Sequence, residues 1–559
     1  MNIIGLTGHT ERGHDGSVCL LQNGKIVYLA EEERFSRVKH AYDSFPENAL
    51  KHCLKVSNLT LDDIDLFATG WDYPVWYSNH DRMWDKEEYM SHLQGVDESK
   101  IITVNHHFAH AASAFFPSGF QEALILVVDG QGEKEATSVF IGNKKGINRV
   151  FKSDVSFGFF FSSVTKICGF KVGEEGKTMG LVPYGKINNQ LKKYLDEHFY
   201  FDKNAEELVQ PFEVYQNKDS LDEQDQYIEK WLKELNKFLE TKTERIVDLL
   251  PEHLKYADFA YTCQKHMEDV VKELVSHYAK KHDMKNLCVA GGVGLSCKMN
   301  ARILYDLDCI DDIFVQPAAN DCGVSLGAAL YVGNQQGEKV FQNMNPYLGS
   351  EYSNEEIEQL LISQKIKYTK PKNLICEIAK LLTENKIVAV FNGRFEFGPR
   401  ALGNRSILAN PKNINVWKTL NVLKGREVWR PLAPILIEEN TKKLFNISQT
   451  SPFMTLAVKA TDFAKENIPA AIHVDDTARI QTVNEKQNKF IYDLLKEFEK
   501  QSNVLALINT SFNKRGEPII ESPENAFNSF MDMKLDYLIL GKFLIRREDD
   551  ERCIEDTNS

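Results

Sequence analysis

One pattern of strand, loop, strand, tight turn and strand occurs twice in the chain. It begins with the apolar residues 2–8 and recurs at residues 123–151, and in both copies a short turn separates the second strand from the third. Turns of this kind join adjacent antiparallel strands. The repeat predicts a duplicated α/β domain in which each half opens on a β-hairpin. Two unrelated hairpins are the alternative.

Length and composition narrow the classes of protein further. The 559 residues predict several domains, and 43% hydrophobic with 26% charged residues indicates a globular chain with a sizeable core. The 80 acidic and 67 basic residues give a net charge of −13, which argues against a broad nucleic-acid surface but allows a local basic pocket.

The chain starts without a signal-peptide pattern, and its apolar runs are too short to span a bilayer. Its ten cysteines include no CxxC pair, so we expect a cytoplasmic protein without membrane attachment.

A turn-rich stretch near residues 332–354 predicts a domain boundary. We expect a first domain over residues 1–345 and a second α/β domain over residues 352–559. Residues 202–250 are highly charged and have a helical pattern, so they are expected to form a helical insertion in the first domain. A solvated face explains these charges most simply, and a cap over a cleft is the alternative.

A histidine cluster in the first domain predicts a metal site. His106 and His110 are four residues apart, which on a helix directs both imidazoles to one side. Asp321, at the predicted end of a strand, is a natural third ligand, and Asp129 in a glycine-rich loop is a further candidate. Two imidazoles with carboxylate oxygens suit iron, manganese or zinc. A packed polar cluster is the alternative.

The second domain contains many cationic residues beside small residues in otherwise apolar surroundings. Guanidinium groups match the geometry of phosphate and carboxylate. In an acidic protein this concentration predicts an anion site, although each residue taken singly is explained as well by surface exposure or an ion pair. The residues concerned are Arg394, Arg400, Arg405, Lys424, Arg426, Arg430 and Arg479.

Three further segments contain residue types that suit binding or catalysis. The segment Gly291-Gly292-Val293-Gly294 follows a predicted strand, so its backbone either approaches a ligand or forms a tight turn. Lys177 lies in a glycine-rich segment that lacks the spacing of a Walker A loop but can contact phosphate. His14, next to Asp15 in the first hairpin loop, is a candidate base for an alcohol, with a surface histidine as the alternative.

Together these motifs resemble the NodU/CmcH family of O-carbamoyltransferases, which includes nodulation-factor, cephalosporin and tobramycin carbamoyltransferases. The match runs nearly end to end and includes several long motifs. They are EERFSRVKH (32–40), HHFAHA (106–111), GEEGKTMGLVPYG (173–185), FGPRALGNRSIL (397–408), HVDDTARIQTV (473–483) and NTSFNKRGEP (509–518).

The resemblance implies an α/β protein with an actin-like (ASKHA) duplicated N-terminal domain and a YrdC-like C-terminal domain. It also implies ATP-dependent O-carbamoyl transfer. In this chemistry carbamoyl phosphate and ATP with Mg²⁺ form carbamoyl-adenylate in the YrdC-like domain. The carbamoyl group then passes to a hydroxyl of a small-molecule acceptor in the metal-containing N-terminal domain. The resemblance is compatible with a homodimer. No motif in the sequence identifies the acceptor.

The resemblance also assigns roles to matching positions. The expected activation residues are Lys424, Arg430, Arg479 and Ser511, and His14 is our hypothesis for the acceptor base. The expected metal ligands are His106, His110, Asp129 and Asp321, for Fe²⁺ or another divalent cation. Further residues expected to contact nucleotide or phosphate are Lys39, Asp129, Lys177, Gly291, Gly292, Val293, Asn300, Arg400, Arg405 and Asn509.

Two other functions are compatible with parts of the pattern. A tRNA threonylcarbamoyladenosine-type synthase would share the domain types, but the acidic balance of the chain counts against a nucleic-acid substrate. A non-catalytic nucleotide-binding regulator of actin-like fold would leave the cationic cluster of the second domain dispensable.

Overall fold

The computed structural model describes residues 1–11, 13–80, 82–213, 223–239 and 252–547. The chain divides into two compact units: residues 1–32 with 40–344, and residues 33–39 with the chain from Asn345 onward. Both units contain helices and mixed β-sheets, which confirms the predicted α/β class. Among the described helices, none combines the length and apolar character that a membrane span requires.

The first unit contains two five-stranded sheets and one short hairpin. The strands of the first sheet are β1 (Asn2–Thr7), β2 (Ser17–Gln22), β3 (Lys25–Glu31), β4 (Leu66–Thr69) and β5 (Ile101–Thr103). The strands of the second sheet and the hairpin are β6 (Ala123–Val128), β7 (Thr137–Asn143), β8 (Gly146–Ser153), β9 (Tyr200–Asp202), β10 (Glu207–Val209), β11 (Asn286–Ala290) and β12 (Asp312–Val315).

The two large sheets have the same topology. Their strand orders are β3-β2-β1-β4-β5 and β8-β7-β6-β11-β12. In each sheet the three hairpin strands are antiparallel and the last two strands run parallel to the first. Each sheet also has a register shift between its second and third strands. The repeated hairpin pattern in the sequence therefore corresponds to a repeated sheet.

Helices connect and cover these sheets. Apart from α1 (Glu32–Ser36), most of which belongs to the second unit, they are α2 (Glu47–Ser57), α3 (Tyr73–Asn79), α4 (Lys86–Ser91), α5 (His106–Phe115), α6 (Phe157–Ile167), α7 (Glu175–Leu181), α8 (Asn189–His198), α9 (Glu223–Leu235), α10 (Ala257–Lys281), α11 (Cys297–Asp306) and α12 (Val324–Gln335). Of the predicted helical insertion, residues 214–222 and 240–250 lie outside the described residues. Helix α9 lies in the remainder and buries Trp231.

Helices α5 and α12 pack against each other and against the two sheets, α5 on β6 and β11, and α12 on β1, β2 and β4. Their approach is unusually close, because a Cβ atom added at Gly327 of α12 would overlap the backbone carbonyl oxygen of Ala109 in α5. A Cβ at Gly5 of β1 would likewise overlap the carbonyl oxygen of Ser325 in α12. Small residues thus fix the distance between α5 and α12.

The second unit is built on a seven-stranded mixed sheet of order β18-β15-β19-β14-β13-β20-β21. Its strands, with the separate pair β16 and β17, are β13 (Val388–Phe391), β14 (Arg405–Ala409), β15 (Ala433–Ile437), β16 (Ala457–Lys459), β17 (Thr477–Arg479), β18 (Gln481–Val483), β19 (Ala506–Ser511), β20 (Tyr537–Leu540) and β21 (Phe543–Arg546). Its helices are α13 (Asn354–Ser363), α14 (Leu374–Thr383), α15 (Asn415–Leu423), α16 (Thr441–Leu444), α17 (Asp462–Asn467), α18 (Lys489–Ser502) and α19 (Pro523–Asp532).

A short segment from the first part of the chain, residues 33–39, belongs to the second unit. The guanidinium of Arg37 donates to the carbonyl oxygens of Ile519 at 2.7 Å and Pro518 at 3.0 Å. Arg34 donates to the carbonyl oxygen of Gly398 at 2.8 Å. Backbone carbonyls thus bind this segment, which places Lys39 in the second unit.

The contact between α5 and α12 leads to a test of stability. We expect Gly327→Ala to lower the free energy of unfolding by at least about 2 kcal/mol, because the added methyl group must force two packed backbones apart. Gly176→Ala in α7 is the matched control, since the space around its Cβ position is open. That change should leave stability unchanged or raise it by up to about 1 kcal/mol. Chemical denaturation measures both, and equal transition midpoints would contradict the packing described.

Candidate active site

Two histidines and two aspartates of the first unit converge on one point. One ligand atom from each of His106, His110, Asp129 and Asp321 lies within 4.8 Å of the others, and all four residues are buried. The Nε2 atoms of the histidines are 3.1 Å apart, and they lie 3.2 and 3.1 Å from Oδ2 of Asp129. Oδ1 of Asp321 lies 3.7 and 3.6 Å from the same two nitrogens. The arrangement is that of a ligand set around a single centre.

A divalent cation fits this geometry. Imidazole nitrogen and carboxylate oxygen bind such ions at about 2.0–2.2 Å, so ligands around one ion lie about 2.8–3.6 Å apart. The separations from the two histidine nitrogens run from 3.1 to 3.7 Å, so all but the longest fall within that range. Two imidazoles with carboxylate oxygens are typical ligands of iron, manganese and zinc.

Different elements supply the four ligands. His106 and His110 project from one side of α5, the helix that the Oδ1 atom of Asn105 caps by accepting the N–H of Phe108 at 3.2 Å. Asp129 directly follows β6, and Asp321 opens the turn that leads into α12. The close packing of α5 on α12 therefore brings ligands that are far apart in sequence into one pocket.

Neighbouring groups orient these ligands. The Nδ1 atom of His106 donates to the carbonyl oxygen of Gly70 at 3.1 Å, which directs Nε2 toward the centre. The indole of Trp71 stacks on the same imidazole, with ring centroids 3.9 Å apart. Oδ1 of Asp129 accepts the N–H of Gly292 at 2.9 Å, which leaves Oδ2 facing the histidines. The site is thus held in place by contacts beyond its four ligands.

Burial and the neighbouring charges strongly shift the pKa values of the aspartates and of His106. Burial raises the pKa of Asp129, but hydrogen bonds from His106 and His110 outweigh it and hold the pKa well below the usual range. Burial likewise raises the pKa of Asp321, and the charges of His106 and His14 then lower it to about 2. For His106, burial lowers the pKa, but the charge of Asp321 and the hydrogen bond to Asp129 raise it well above the ordinary value. Both carboxylates are therefore ionised at neutral pH.

The predicted glycine-rich segment forms a tight turn beside Asp129. Gly291 has φ of 88°, and the turn continues through Gly292–Leu295, which includes Val293. Asn300 is fully buried, and its Nδ2 donates to the carbonyl oxygen of Gly294 at 2.8 Å, a hydrogen bond that stabilises the turn. The four residues expected to line a nucleotide thus lie together at one end of β11.

His14 lies next to the metal-ligand group. Its imidazole is 48% exposed, Nδ1 lies 3.3 Å from Oδ2 of Asp15, and Nε2 lies 3.9 Å from Oδ2 of Asp321. Burial lowers the pKa of His14, but the charge of Asp321 and then the hydrogen bond to Asp15 raise it to about 9. A cation bound to Asp321 would weaken the larger of these raising effects. The histidine and aspartate that are adjacent in sequence therefore do make contact.

Lys177 is buried on α7, in the same unit. Its ammonium group pairs with Glu174 and lies 5.5 Å from the ring centroid of Phe170. Its predicted contact with phosphate stays a prediction.

The second unit contains a cluster of cationic side chains. Lys424 is 1% exposed, and its ammonium group donates to the backbone carbonyls of Ser511 and Asn513. Burial lowers its pKa well below the ordinary value, and the charges of Arg426 and Arg430 lower it further. Buried cations that destabilise each other in this way form a site that favours an anion.

Arg426 and Lys39 extend the cluster. Burial, followed by the charges of Arg430 and Arg479, lowers the pKa of Arg426 to about 9. The pKa of Lys39 is lowered by desolvation and by the charges of Arg430 and Arg426, against an opposing effect of Glu33. Lys39 and Arg479 are far apart in sequence, so the fold gathers positive charge from separate segments.

Polar groups predicted for this site lie at the end of β19. The Nδ2 atom of Asn509 donates to the carbonyl oxygen of Ala401 at 3.1 Å and to Oε1 of Gln481 at 2.8 Å. The hydroxyl of Ser511 donates to Oδ1 of Asn513 at 2.6 Å. Asn509 is thus held inside the sheet, whereas the backbone carbonyl of Ser511 accepts from Lys424.

Arg405 lies in a different environment from the one expected for an anion ligand. It is fully buried, and its guanidinium lies 3.6 Å from the ring centroid of Phe391. One guanidinium nitrogen donates to the carbonyl oxygens of Asn392 at 3.0 Å and Gly393 at 3.1 Å. Arg405 therefore donates to backbone carbonyls of the loop between β13 and β14. The residue type alone could not predict this role. Arg400 lies in the same loop and is partly buried.

The structure adds residues to which the sequence gave no role. Gly70 and Trp71 hold His106, and no motif marks either of them. His40 lies within the EERFSRVKH motif, and its Nδ1 donates to Oδ1 of Asp15 at 2.8 Å. The motif was a usable signal for His40, but only the fold shows which side chain it contacts.

Comparison with known proteins identifies the family. Residues 77–330 match the model described as Carbamoyltransferase N-terminus, and residues 379–547 match Carbamoyltransferase C-terminus. The chain is 31% identical to nodulation protein NolNO of Sinorhizobium fredii, over 96% of this chain and 79% of that protein. It is 33% identical to nodulation protein NolO of Bradyrhizobium diazoefficiens, over 79% of each chain. Full-length HypF in its phosphate- and nucleotide-bound form aligns with a TM-score of 0.36 at 13% identity, over 61% of this chain and 56% of that one, which is too low to define the fold.

The matched models and relatives span most of the chain, including the histidine and cationic clusters. The chain therefore belongs to the carbamoyltransferase family, and it is a carbamoyltransferase enzyme.

The ligand geometry predicts a bound metal ion that depends on His110. The purified protein should contain about one divalent ion per chain, and His110→Gln should lower that content at least about tenfold, because a ligand is lost. His107→Gln is the matched control, since His107 is on the same helix and its Nδ1 contacts Ser138 Oγ at 2.9 Å. Elemental analysis by mass spectrometry measures the metal content, and circular dichroism checks folding. Equal metal content in the two folded variants would contradict the site.

Proposed function

We propose that the protein is an ATP-dependent O-carbamoyltransferase that works in two steps. In the first, carbamoyl phosphate, ATP and water give carbamoyl-adenylate, phosphate and pyrophosphate. In the second, an acceptor hydroxyl attacks the carbamoyl carbon, its oxygen forms the new carbamate ester, and AMP leaves. The acceptor is a hydroxylated small molecule.

The observation that supports the first step is the cationic cluster of the second unit. Besides burial, the charges of Arg426 and Arg430 lower the pKa of Lys424, and those of Arg430 and Arg479 lower the pKa of Arg426. A polyanion would relieve this repulsion. ATP and carbamoyl phosphate together supply that negative charge. Guanidinium donors fixed in advance around phosphoryl oxygens stabilise charge that develops on the leaving pyrophosphate. Lys39 and Ser511 complete the proposed activation site.

The arrangement around His14 supports the second step. An alcohol is a poor nucleophile near neutral pH, so a base that accepts its proton speeds the attack. His14 is half exposed, and its Nε2 atom is on the side of Asp321. We assign the neutral form of His14 as this base, with the proton of the acceptor moving to Nε2. A cation held by Asp321 would favour the neutral form, because it would offset the charge that raises the pKa of His14. A divalent ion bound by the four ligands, Fe²⁺ being the one that the family resemblance favours, would act as a Lewis acid toward the carbamoyl carbonyl or phosphate oxygens.

The proposal extends to the fold of each unit. The shared 3-2-1-4-5 strand order of the two sheets supports an actin-like duplicated fold for the first unit. The turn at residues 291–295, Asn300 and Lys177 are then proposed to contact the adenylate. A YrdC-like fold is proposed for the second unit, where activation takes place.

An exchange assay tests the activation step. Labelled pyrophosphate should enter ATP only when carbamoyl phosphate is present, whereas threonine with bicarbonate should not support exchange. Arg426→Met should lower the exchange rate by about 100-fold, since one fixed cationic donor is lost. Arg546→Met is the control because Arg546 is exposed at the end of β21. Exchange that is independent of carbamoyl phosphate, or an unaffected Arg426→Met variant, would contradict the proposal.

Replacement of His14 tests the transfer step separately. With glycerol as the hydroxyl compound, His14→Asn should lower carbamoyl phosphate-dependent release of AMP by about 100-fold or more, because the proton acceptor is lost. The exchange rate should stay near the wild-type value. His282→Asn, in the same unit and away from the ligand group, serves as control. Unchanged release of AMP by His14→Asn would remove His14 as the base.

A further inference from the structure

The chain after residue 39 has an unusual backbone beside His14. His40, Ala41 and Asp43 all have positive φ values, of 66°, 41° and 49°. Asp15, in the facing loop, has φ of 53°. None of these residues is a glycine, and residues with a Cβ atom adopt this region only when the surrounding structure stabilises it. Such concentrations of backbone strain are common where a side chain must be held in one orientation for function.

Two backbone hydrogen bonds join this segment to the loop that contains His14. The N–H of Asp15 donates to the carbonyl oxygen of His40 at 2.6 Å. The N–H of Asp43 donates to the carbonyl oxygen of Gly13 at 2.8 Å. The loop on either side of His14 is therefore fixed to the strained segment.

The side chains continue the same connection. The Nδ1 atom of His40 donates to Oδ1 of Asp15 at 2.8 Å, and Oδ2 of Asp15 accepts from Nδ1 of His14 at 3.3 Å. Asp15 thus uses one carboxylate oxygen for each imidazole. Because Nδ1 of His14 then carries its proton, the lone pair of the neutral ring is on Nε2, the atom that faces Asp321. Without His40 the carboxylate of Asp15 can rotate, and this tautomer loses its fixed partner.

We propose that His40 is a positioning residue for the transfer step, acting through Asp15 to hold His14 in the tautomer and orientation that accept a proton at Nε2. This inference rests on the proposed function, in which His14 is the base. His40 itself makes no contact with the reacting atoms in this proposal.

Substitutions at position 40 separate the side chain from the backbone. His40→Gly removes the imidazole and tolerates the positive φ, whereas His40→Asn tolerates that φ and keeps a donor for Asp15. Ala41→Gly is the matched control, because it changes the strained backbone and removes only a methyl group.

The assay is release of AMP that depends on carbamoyl phosphate, with the full chain and glycerol as the hydroxyl compound. His40→Gly should lower kcat by about 10- to 100-fold with little change in KM for glycerol, as is usual for partners that orient a functional side chain. His40→Asn should recover most of the rate, and Ala41→Gly should behave as wild type. Adding His40→Gly to His14→Asn should cause no further loss, because His40 acts only through His14 and that side chain is already absent.

The outcomes distinguish this inference from the function on which it rests. A wild-type protein that releases no AMP contradicts both. A loss in His14→Asn with a normal rate in His40→Gly overturns only the role of His40. An equal loss in His40→Gly and Ala41→Gly assigns the effect to the backbone and overturns the role of His40. No recovery in His40→Asn shows that a donor to Asp15 is not what the rate depends on, and it overturns that role as well. Thermal denaturation and metal content of each variant confirm that the comparison is made on folded protein.

Discussion

The candidate metal site of the first unit depends on how closely α5 and α12 approach each other. Gly327 lets α12 lie directly against the backbone of α5 at Ala109, and Gly5 lets the same helix lie on β1. His106 and His110 project from one helix, while Asp321 opens the turn before the other. Asp129 then enters from the end of β6. Four potential ligand atoms from three elements meet in one pocket because the two helices approach closely at Gly327 and Ala109.

The two units present opposite electrostatic demands. Two ionised aspartates lie together in the first unit and are best satisfied by a cation. In the second unit the buried Lys424 and the half-buried Arg426 repel each other and favour an anion. The net charge of −13 for the whole chain reveals the local charge of neither site. This contrast is the basis of our proposal that phosphate compounds bind in the second unit and the carbamoyl group is transferred in the first.

The sequence predicted those features that depend on local pattern. The duplicated hairpin and the convergence of the i, i+4 histidines follow from spacing alone, and the structure contains both. Contacts between distant segments could not be predicted, because side-chain type does not determine a partner. Arg405 has the same guanidinium group as Arg426, yet it donates to backbone carbonyls. The contact of His40 with Asp15 depends on a backbone conformation that these residue types do not favour.

The central claim is that carbamoyl activation passes through an adenylate. The most direct measurement is identification of the nucleotide and carbamoyl species after a single turnover with labelled carbamoyl phosphate and ATP, quenched in acid and analysed by mass spectrometry. The account predicts carbamoyl-adenylate on the His14→Asn variant, and AMP with pyrophosphate from the wild type. Formation of ADP, or transfer of the label without ATP cleavage, would contradict it.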